Sequence, residues 1–155
     1  SVYRLDPHDD KLGLLTPFLA KRIERYAEQY QPEVIPAHYA SAVMAKLWLG
    51  EPSVLALGIV EPESAALLGH ALALAVLDRG GANARRVEVV QLQADQNVGG
   101  ARFEALEHVM GWAKELQVDH VLLLTHRDGK EFETKLGFKR VRTVLRAAPP
   151  GAPER

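Results

Sequence analysis

The segment Val87–Arg102, VEVVQLQADQNVGGAR, holds the residues whose types and spacing are best suited to chemistry. Its valine-rich part predicts a strand, and the adjacent glycines Gly99 and Gly100 predict a loop that opens a helix. The first N–H groups of a helix lack intrahelical acceptors and lie at the positive end of the helix dipole, so this turn could bind a phosphate or pyrophosphate. Arg102 is unfavourable to that helix end by itself and hints at an anionic partner. A tight connection without a ligand is the alternative interpretation of the two glycines.

Two short motifs resemble those of a known family. Gln96–Ala101, QNVGGA, fits the pattern Gln/Arg-x-x-Gly-x-Gly/Ala and resembles the pyrophosphate loop between the fourth strand and third helix of the GNAT superfamily of acyl-CoA-dependent N-acyltransferases. Lys135–Lys139, KLGFK, resembles the turn between the fourth helix and the last strand of that family. The motifs stand in the family's order, with a predicted strand and helix between them, and the resemblance extends to about Arg146.

The resemblance implies that acetyl-CoA, as co-substrate, enters a wedge where the fourth and fifth strands splay apart. Backbone groups of the fourth strand would pair with the pantetheine arm as an added strand would. The N–H groups of Val98–Ala101 would receive the pyrophosphate, with Gln96 and Arg102 as side-chain helpers. The cofactor-binding residues implied in this way are Gln91, Leu92, Gln93, Gln96, Asn97, Val98, Gly99, Gly100, Ala101 and Arg102.

Acyl transfer to an amine needs a base that keeps the amine neutral, a donor to the oxyanion and an acid for the leaving thiolate. Glu88 is the candidate base, because the resembling family often carries a glutamate on its fourth strand. Strand alternation would group Glu88 with Val90 and Leu92, an apolar setting that favours proton uptake by a carboxylate. An ion pair with Arg85 or Arg86, or exposure at the start of the strand, is the alternative.

The same alternation places Gln91 and Gln93 on the opposite face of this strand, beside Val87 and Val89. Two amides within a buried strand are unusual, and they could orient a substrate or a water molecule. Exposure on a partly covered face is the alternative.

The candidate acid departs from the family's pattern. Many members carry a tyrosine five residues before the phenylalanine of the Gly-Phe pair, and Glu133 matches that position here. A carboxylate is ionised near pH 7 unless it is desolvated, so it is a poor acid. His126 matches the position of a family asparagine near the end of the fifth strand, and a histidine can donate protons near neutral pH. A solvated loop histidine is the alternative.

The elements around these residues indicate an α+β fold. Apolar runs between turn residues predict the strands, and apolar spacings of three and four residues predict the helices. The predicted strands are Val2–Leu5, Ser53–Val60, Leu67–Leu77, Val87–Ala94, His120–Thr125 and Phe138–Leu145. The predicted helices begin at Asp9 or Asp10, at Ala37, at Gly99–Gly100 and at Asp128. Pro17 should kink or split the first helix, and the alanine-rich Leu67–Leu77 could be helical on propensity.

Three consecutive strands favour an antiparallel meander, and the strand–helix–strand unit that follows favours a parallel pair. We therefore expect an α/β sandwich with a mixed, mostly antiparallel sheet and helices on both faces, the GNAT-like acyl-CoA N-acyltransferase fold. Residues 1–146 would form a single domain, and the tail AAPPGAPER at residues 147–155 is expected to lack order.

Composition restricts the classes of function. The 155 residues contain no cysteine, which excludes disulfides, thiolate metal sites and a cysteinyl acyl-enzyme, and is compatible with the cytoplasm. The net charge of −1 gives no electrostatic argument for nucleic-acid binding, and no apolar run is long enough for a membrane span. The opening SVYRLDPHDD shows no signal-peptide pattern, and the histidines show no metal-ligand spacing.

The leading functional hypothesis is therefore direct N-acetyl transfer from acetyl-CoA to a primary amine in a ternary complex. The acceptor would be a small molecule or a peptide, with no metal, nucleic acid or membrane involved. A catalytically impaired GNAT-like module that binds CoA or a protein partner is the main alternative, and an interaction protein without CoA binding is a third. The oligomeric state is open, a homodimer being one option.

Overall fold

The computed structural model describes residues 1–77, 85–96, 98–125, 129–141 and 145–151. The chain divides into two compact units, Ser1–Thr125 and His126–Arg155. The first unit contains a five-stranded sheet and three of the α-helices, and the second contains one short helix. The assignment of residues 1–146 to a single domain stays a prediction.

Apart from the last predicted strand, the strands and helices occur in the predicted order, and α1 begins at Thr16 rather than at Asp9 or Asp10. The strands are β1 (Val2–Arg4), β2 (Val54–Val60), β3 (Leu67–Val76), β4 (Arg86–Ala94) and β5 (His120–Leu123). The helices are α1 (Thr16–Tyr30), α2 (Pro36–Trp48), α3 (Ala101–Leu116) and α4 (Lys130–Leu136), and a single 3₁₀ turn at Leu12–Leu15 precedes α1.

The sheet is open and mixed, with the strand order β1-β2-β3-β4-β5. Neighbouring strands from β1 to β4 pair antiparallel, and β5 pairs parallel to β4 after the α3 crossover. The meander and the parallel pair expected from the order of elements are thus both confirmed. The alanine-rich β3 is a strand because it lies between two strands that satisfy both of its edges, so tertiary pairing overrides its helical propensity.

Helices cover both faces of the sheet. The α1 and α2 side chains form one hydrophobic cluster with one face of β2 and β3; its fully buried members include Leu19, Ile23, Ala56 and Leu72. The alternate β2 residues, such as Leu57, are also buried, so the opposite face is covered as well. Helix α3 contacts all five strands and contributes no residue to the α1–α2 cluster, which places it on that opposite face.

Pro17 splits the first helical segment. The 3₁₀ turn Leu12–Leu15 ends before it, and α1 begins at Thr16, so that Pro17 lies in the first turn of the helix. A proline is tolerated there because the N–H it lacks would have had no intrahelical acceptor.

The strand predicted over Phe138–Leu145 is wrong for its described residues. Neither 138–141 nor 145 belongs to a strand, and 142–144 lie outside the described residues. Val141 and Leu145 are 72% and 88% exposed, so their side chains gain none of the burial that an apolar strand pattern implies. The described part of the tail, 147–151, contains no helix or strand.

Candidate active site

The pairing between strands β4 and β5 ends halfway along β4. Their parallel pairing runs from Arg86 opposite His120 to Val89 opposite Leu123, and the Leu124 N–H donates to the Val89 carbonyl at 3.0 Å. Beyond that point, Gln91–Ala94 pair only with β3 within the described part of the chain. This gap beside β4, the wedge, lies beyond the end of β5 at Leu123, where the resemblance implied that acetyl-CoA enters.

A β-bulge lies at the apex of this wedge. The β3–β4 register shifts by one residue, because Leu72 lies opposite Gln91 whereas Ala73 lies opposite Val89. Val90 is consequently the extra residue of β4. A bulge of this kind locally interrupts the ladder and exchanges the faces that later side chains occupy.

The bulge corrects the predicted faces of β4. Gln91 and Gln93 lie opposite Leu72 and His70, on the face covered by α1 and α2, and so does Glu88, which lies opposite Leu74. The prediction that the two glutamines share a face with Val87 and Val89, away from Glu88, is therefore wrong. Uninterrupted alternation is right only up to the bulge, and Glu88, Gln91 and Gln93 lie on one face.

The two fully buried polar side chains among the described residues, His70 and Gln91, bond to each other. The Gln91 amide group donates to the Ile23 carbonyl at 3.2 Å and to the Gln31 side-chain oxygen at 2.8 Å. These two acceptors fix the orientation of the amide, so its oxygen faces the His70 Nε2 at 2.7 Å. His70 therefore carries its proton on Nε2 and donates it to Gln91.

The His70 imidazole is neutral at pH 7. Burial lowers its pKa to about 4, against the opposing effect of the Gln91 hydrogen bond, and the Arg22 charge lowers it further. Its Nδ1 is buried with no hydrogen-bond partner among the described residues, and the Tyr26 ring stands edge-on to it at 5.9 Å. Because the ring is fully buried and its Nε2 proton is bonded to Gln91, this histidine is part of the core.

Gln31 and Tyr39 extend the network toward the surface. The Gln31 side-chain amide donates to the Val90 carbonyl at 3.2 Å, and Gln31 also bonds to the Tyr39 phenol. Burial raises the pKa of Tyr39, the charge of Glu33 raises it too, and the bond to Gln31 opposes both. Gln31 was not among the residues predicted from the sequence, where its only signal is a polar side chain just after an amphipathic helix.

Glu88, the candidate base, forms an ion pair. Its carboxylate lies 2.9 Å from the Arg86 Nε, and 18% of its side chain is exposed. This is the ion pair that stood as the alternative at the level of the sequence. The carboxylate does lie on the same face as the polar network, and its role as a base stays a prediction.

The end of β4 is anchored to α1 and β3. Arg22 pairs with the Asp95 carboxylate at 3.1 Å and donates to the Leu67 carbonyl at 2.8 Å. The Asp95 N–H donates to the Leu68 carbonyl, which completes the β3–β4 ladder. The loop that follows therefore starts from a fixed position.

The glycine loop leaves open space where an anion could approach. Gly100 has a φ of +79°, a left-handed conformation that glycine adopts without strain, and a Cβ built on Gly99 or Gly100 would meet no atom within 4 Å. The Val98 and Ala101 N–H groups donate within the loop, to Asp95 and Val98 carbonyls. The N–H groups of the two glycines have no such acceptor among the described residues, so they suit a phosphate oxygen.

The other predicted binding residues differ in position. In an antiparallel ladder every second residue forms hydrogen bonds with the residue opposite it. Asp95 donates to the Leu68 carbonyl of the β3 side, so Gln93 and Gln91, two and four residues earlier, also direct their backbone groups toward β3. Leu92 directs its own toward the edge where β5 is absent. Gln96 is exposed and Arg102 is half-buried at the start of α3.

Three further positions complete the comparison with the sequence. Asn97 and His126 lie outside the described residues, so their predicted roles stay predictions. Glu133 is exposed on α4. Within the described ranges no group of three or more His, Asp or Glu side chains could hold a metal ion, and none of the described helices is long and apolar enough to cross a membrane.

An open mixed sheet in which a glycine loop and a helix connect the fourth strand to a parallel fifth strand is the fold of the GCN5-related N-acetyltransferases. A crystal structure of such a protein from Ralstonia eutropha JMP134 matches with a TM-score of 0.70 at 11% identity, over 96% of this chain and 97% of that chain. Glucosamine-6-phosphate N-acetyltransferase from Arabidopsis thaliana matches with a TM-score of 0.68 at 11% identity, over 96% and 97%.

A third structure is that of the ribosomal-protein-alanine N-acetyltransferase from Brucella melitensis biovar Abortus 2308. It matches with a TM-score of 0.63 at 15% identity, over 95% of this chain and 99% of that chain. No protein-family model and no curated protein sequence matches this chain. The fold predicted from the two motifs is thus confirmed by structural similarity.

Proposed function

We propose that this protein is an N-acetyltransferase that moves an acetyl group from acetyl-CoA to a primary amine within a ternary complex. The observation that carries the proposal is the wedge after Val89, with the open N–H groups of Gly99 and Gly100 beyond the end of the same strand. The wedge offers the Leu92 backbone to an extended arm, and the loop offers donors to a pyrophosphate. The named acetyltransferases with this fold support the choice of reaction.

The proposed reaction is a single displacement. The amine nitrogen attacks the thioester carbonyl carbon, the C–N bond forms, the C–S bond breaks, and the amine proton passes to a base while the departing thiolate accepts a proton. With no cysteine in the chain, a cysteinyl intermediate is excluded, which favours direct attack. We assign the base to Glu88 and the acid to His126.

The acceptor is proposed to be a small molecule or a peptide that reaches the wedge from the face on which Glu88 lies. Neither a nucleic acid nor a membrane is part of the proposal, in keeping with the net charge of −1. The cysteine-free composition is compatible with action in the cytoplasm.

Calorimetry with acetyl-CoA tests the binding part of the proposal. Gly99→Glu should abolish binding, because it sets a side chain and a negative charge in the open space of the loop. Gly111→Glu is the matched control: it adds the same charge at an exposed site on α3, where a Cβ also meets no atom within 4 Å. Equal affinity of the two variants would refute the loop as the anion site.

A specific observation favours a second candidate, a module that binds CoA without transferring the acyl group. Glu133 stands where the resembling family often has a tyrosine, and the Glu88 carboxylate is already paired with Arg86. Release of free thiol from acetyl-CoA, followed across a panel of amines, separates the two candidates. Binding of acetyl-CoA without thiol release for any amine would favour the module over the enzyme.

A further inference from the structure

Gln31 is the first residue after α1, and its side chain reaches β4. Its backbone N–H donates to the Ala27 carbonyl and closes the last turn of the helix. Its side chain bonds two consecutive β4 residues, since its amide group donates to the Val90 carbonyl and its oxygen accepts from the Gln91 amide. Both ends of this one amide are therefore used on a strand to which Gln31 does not belong.

The Val90 carbonyl needs such a partner. Val90 is the extra residue of the bulge and has no partner in the β3 register, and its side chain packs against the α1–α2 cluster. A polar backbone group that leaves its ladder in this half-buried setting is costly unless another donor satisfies it. The Gln31 amide, 3.2 Å away, is that donor.

The contact lies at the apex of the wedge. Val90 directly follows Val89, the last β4 residue that pairs with β5 and the residue whose carbonyl accepts from Leu124. The bond from Gln31 thus fixes the backbone at the point where the pairing of β4 with β5 ends. Tyr39 bonds to Gln31 and ties α2 into the same contact.

We propose that Gln31 is a positioning residue, which holds the bulge at Val90 and so sets the direction in which the β4 backbone meets the thioester; this rests on the proposed acyl transfer. Gln31 acts through Val90 and does not itself touch the reacting atoms. Removing the side chain should loosen the apex but not the fold. Gln91 keeps its bonds to the Ile23 carbonyl and to His70, so the buried His70–Gln91 pair stays in place although the Val90 carbonyl loses its donor.

Two variants and one control test the proposal. Gln31→Met keeps the length of the side chain and removes both hydrogen bonds. Gln31→Glu keeps an oxygen but offers no N–H to the Val90 carbonyl. Gln29→Met makes the same change at an exposed α1 residue two positions earlier. Steady-state kinetics with acetyl-CoA should show kcat lowered about tenfold in both Gln31 variants, equivalent to one net hydrogen bond, and KM changed by less than about twofold.

Amide hydrogen exchange gives a readout that does not need activity. In both Gln31 variants the Leu124 N–H, which bonds to Val89 at the apex, should exchange faster, whereas the Ala75 N–H, which bonds to Ser53 at the far end of β3, should not. Wild-type values of kcat in Gln31→Met would overturn the positioning role. An unchanged exchange rate of the Leu124 N–H would show that the bond from Gln31 to the Val90 carbonyl does not hold the apex.

A failure of the proposed acyl transfer can be distinguished from a failure of the positioning role of Gln31. A wild-type chain that binds acetyl-CoA and transfers nothing would overturn the acyl transfer, and with it the role toward the thioester, whatever the variants do. Faster Leu124 exchange in that case would still support Gln31 as the residue that holds the apex. A general loss of stability would accelerate the Leu124 and Ala75 amides equally and would overturn the specific contact.

Discussion

Acidification should destabilise this protein through one buried side chain, the imidazole of His70. Its pKa is about 4 in the fold, where burial disfavours the cation, against an ordinary value of 6.5 in the unfolded chain. A tenfold difference in proton affinity is worth about 1.4 kcal/mol, so complete protonation removes about 3 kcal/mol from the free energy of unfolding. That is a large share of the stability of a typical domain, about 5–15 kcal/mol.

The sign and the pH window follow from the lowered pKa. The unfolded chain binds the proton more tightly than the fold does, so the contribution of His70 is fully present above pH 6.5 and is lost as the pH falls toward 4. At pH 5 the loss should be about 2 kcal/mol. The Gln91 hydrogen bond opposes the lowering of the His70 pKa only in part, and the Arg22 charge adds to that lowering.

Urea unfolding at pH 7 and pH 5 measures this effect. Trp112 is buried, at 7% exposure, and its fluorescence should report the transition. With a slope of about 1–3 kcal/mol per molar urea, a loss of about 2 kcal/mol moves the midpoint by about 1 M. His70→Gln cannot titrate in this range but keeps an N–H for Gln91, so its midpoint should change less between the two pH values. His108→Gln, at an exposed α3 site, should behave like the wild type.

The test compares the loss of stability between pH 7 and pH 5 in the wild type with the loss in His70→Gln. The carboxylates contribute equally to the loss in both proteins, so the comparison isolates the effect of His70. His70→Gln will be less stable than the wild type at pH 7, because the replacement fills the site less well. That change does not affect the test. If His70→Gln loses as much stability as the wild type between pH 7 and pH 5, the buried neutral imidazole does not govern this pH dependence.

Three further outcomes are expected. Gly69→Ala should cost about 1–3 kcal/mol, because a Cβ at Gly69 would lie 2.4 Å from the Gln93 carbonyl; thermal melting measures it. Gly100→Ala should cost about 1–2 kcal/mol in urea unfolding, because an L-residue is strained at a φ of +79°. Glu88→Gln should lower kcat by about a hundredfold or more with little change in the KM for acetyl-CoA, if Glu88 leaves its pair with Arg86 to act as base.

Each of these outcomes has a contrary result. Gly111→Ala, at an open site within α3, should be neutral or stabilising, so an equal loss there would show that conformation at Gly100 is not the cause. Unchanged melting of Gly69→Ala would mean that β3 can move away from β4 at low cost. A Glu88→Gln variant with the wild-type kcat and pH profile would leave Glu88 as a structural partner of Arg86.

The strands and helices were predicted well wherever the turn residues, such as proline and glycine, agreed with the spacing of the apolar residues. β2 lies between Pro52 and Pro62, and α3 begins directly after the Gly99–Gly100 pair, so local chemistry fixes both. The prediction failed for the described residues of the range Phe138–Leu145, because an apolar alternation predicts a strand without showing whether a neighbouring strand or a core exists to receive it.

The candidate site was less accessible to prediction because its geometry depends on one irregular residue. The apolar–polar alternation of VEVVQLQA is interrupted by the adjacent Val89 and Val90, but no glycine or proline marks the bulge at Val90. One residue of shift carries Gln91 and Gln93 from one face to the other. Only the structure shows that they join Glu88 on the α1–α2 face.

That shift changes what the polar residues of β4 can do. On the predicted face the two glutamines would have been separated from Glu88 by the full thickness of the sheet. On the observed face Gln91 is bonded to Gln31, and Gln31 to the Val90 carbonyl, next to the last pairing with β5. Gln31, Val90 and Gln91 therefore meet at one bulge beside the apex of the wedge. A change at any of these three residues should alter the geometry of the apex, so the effects of such changes on activity should be non-additive.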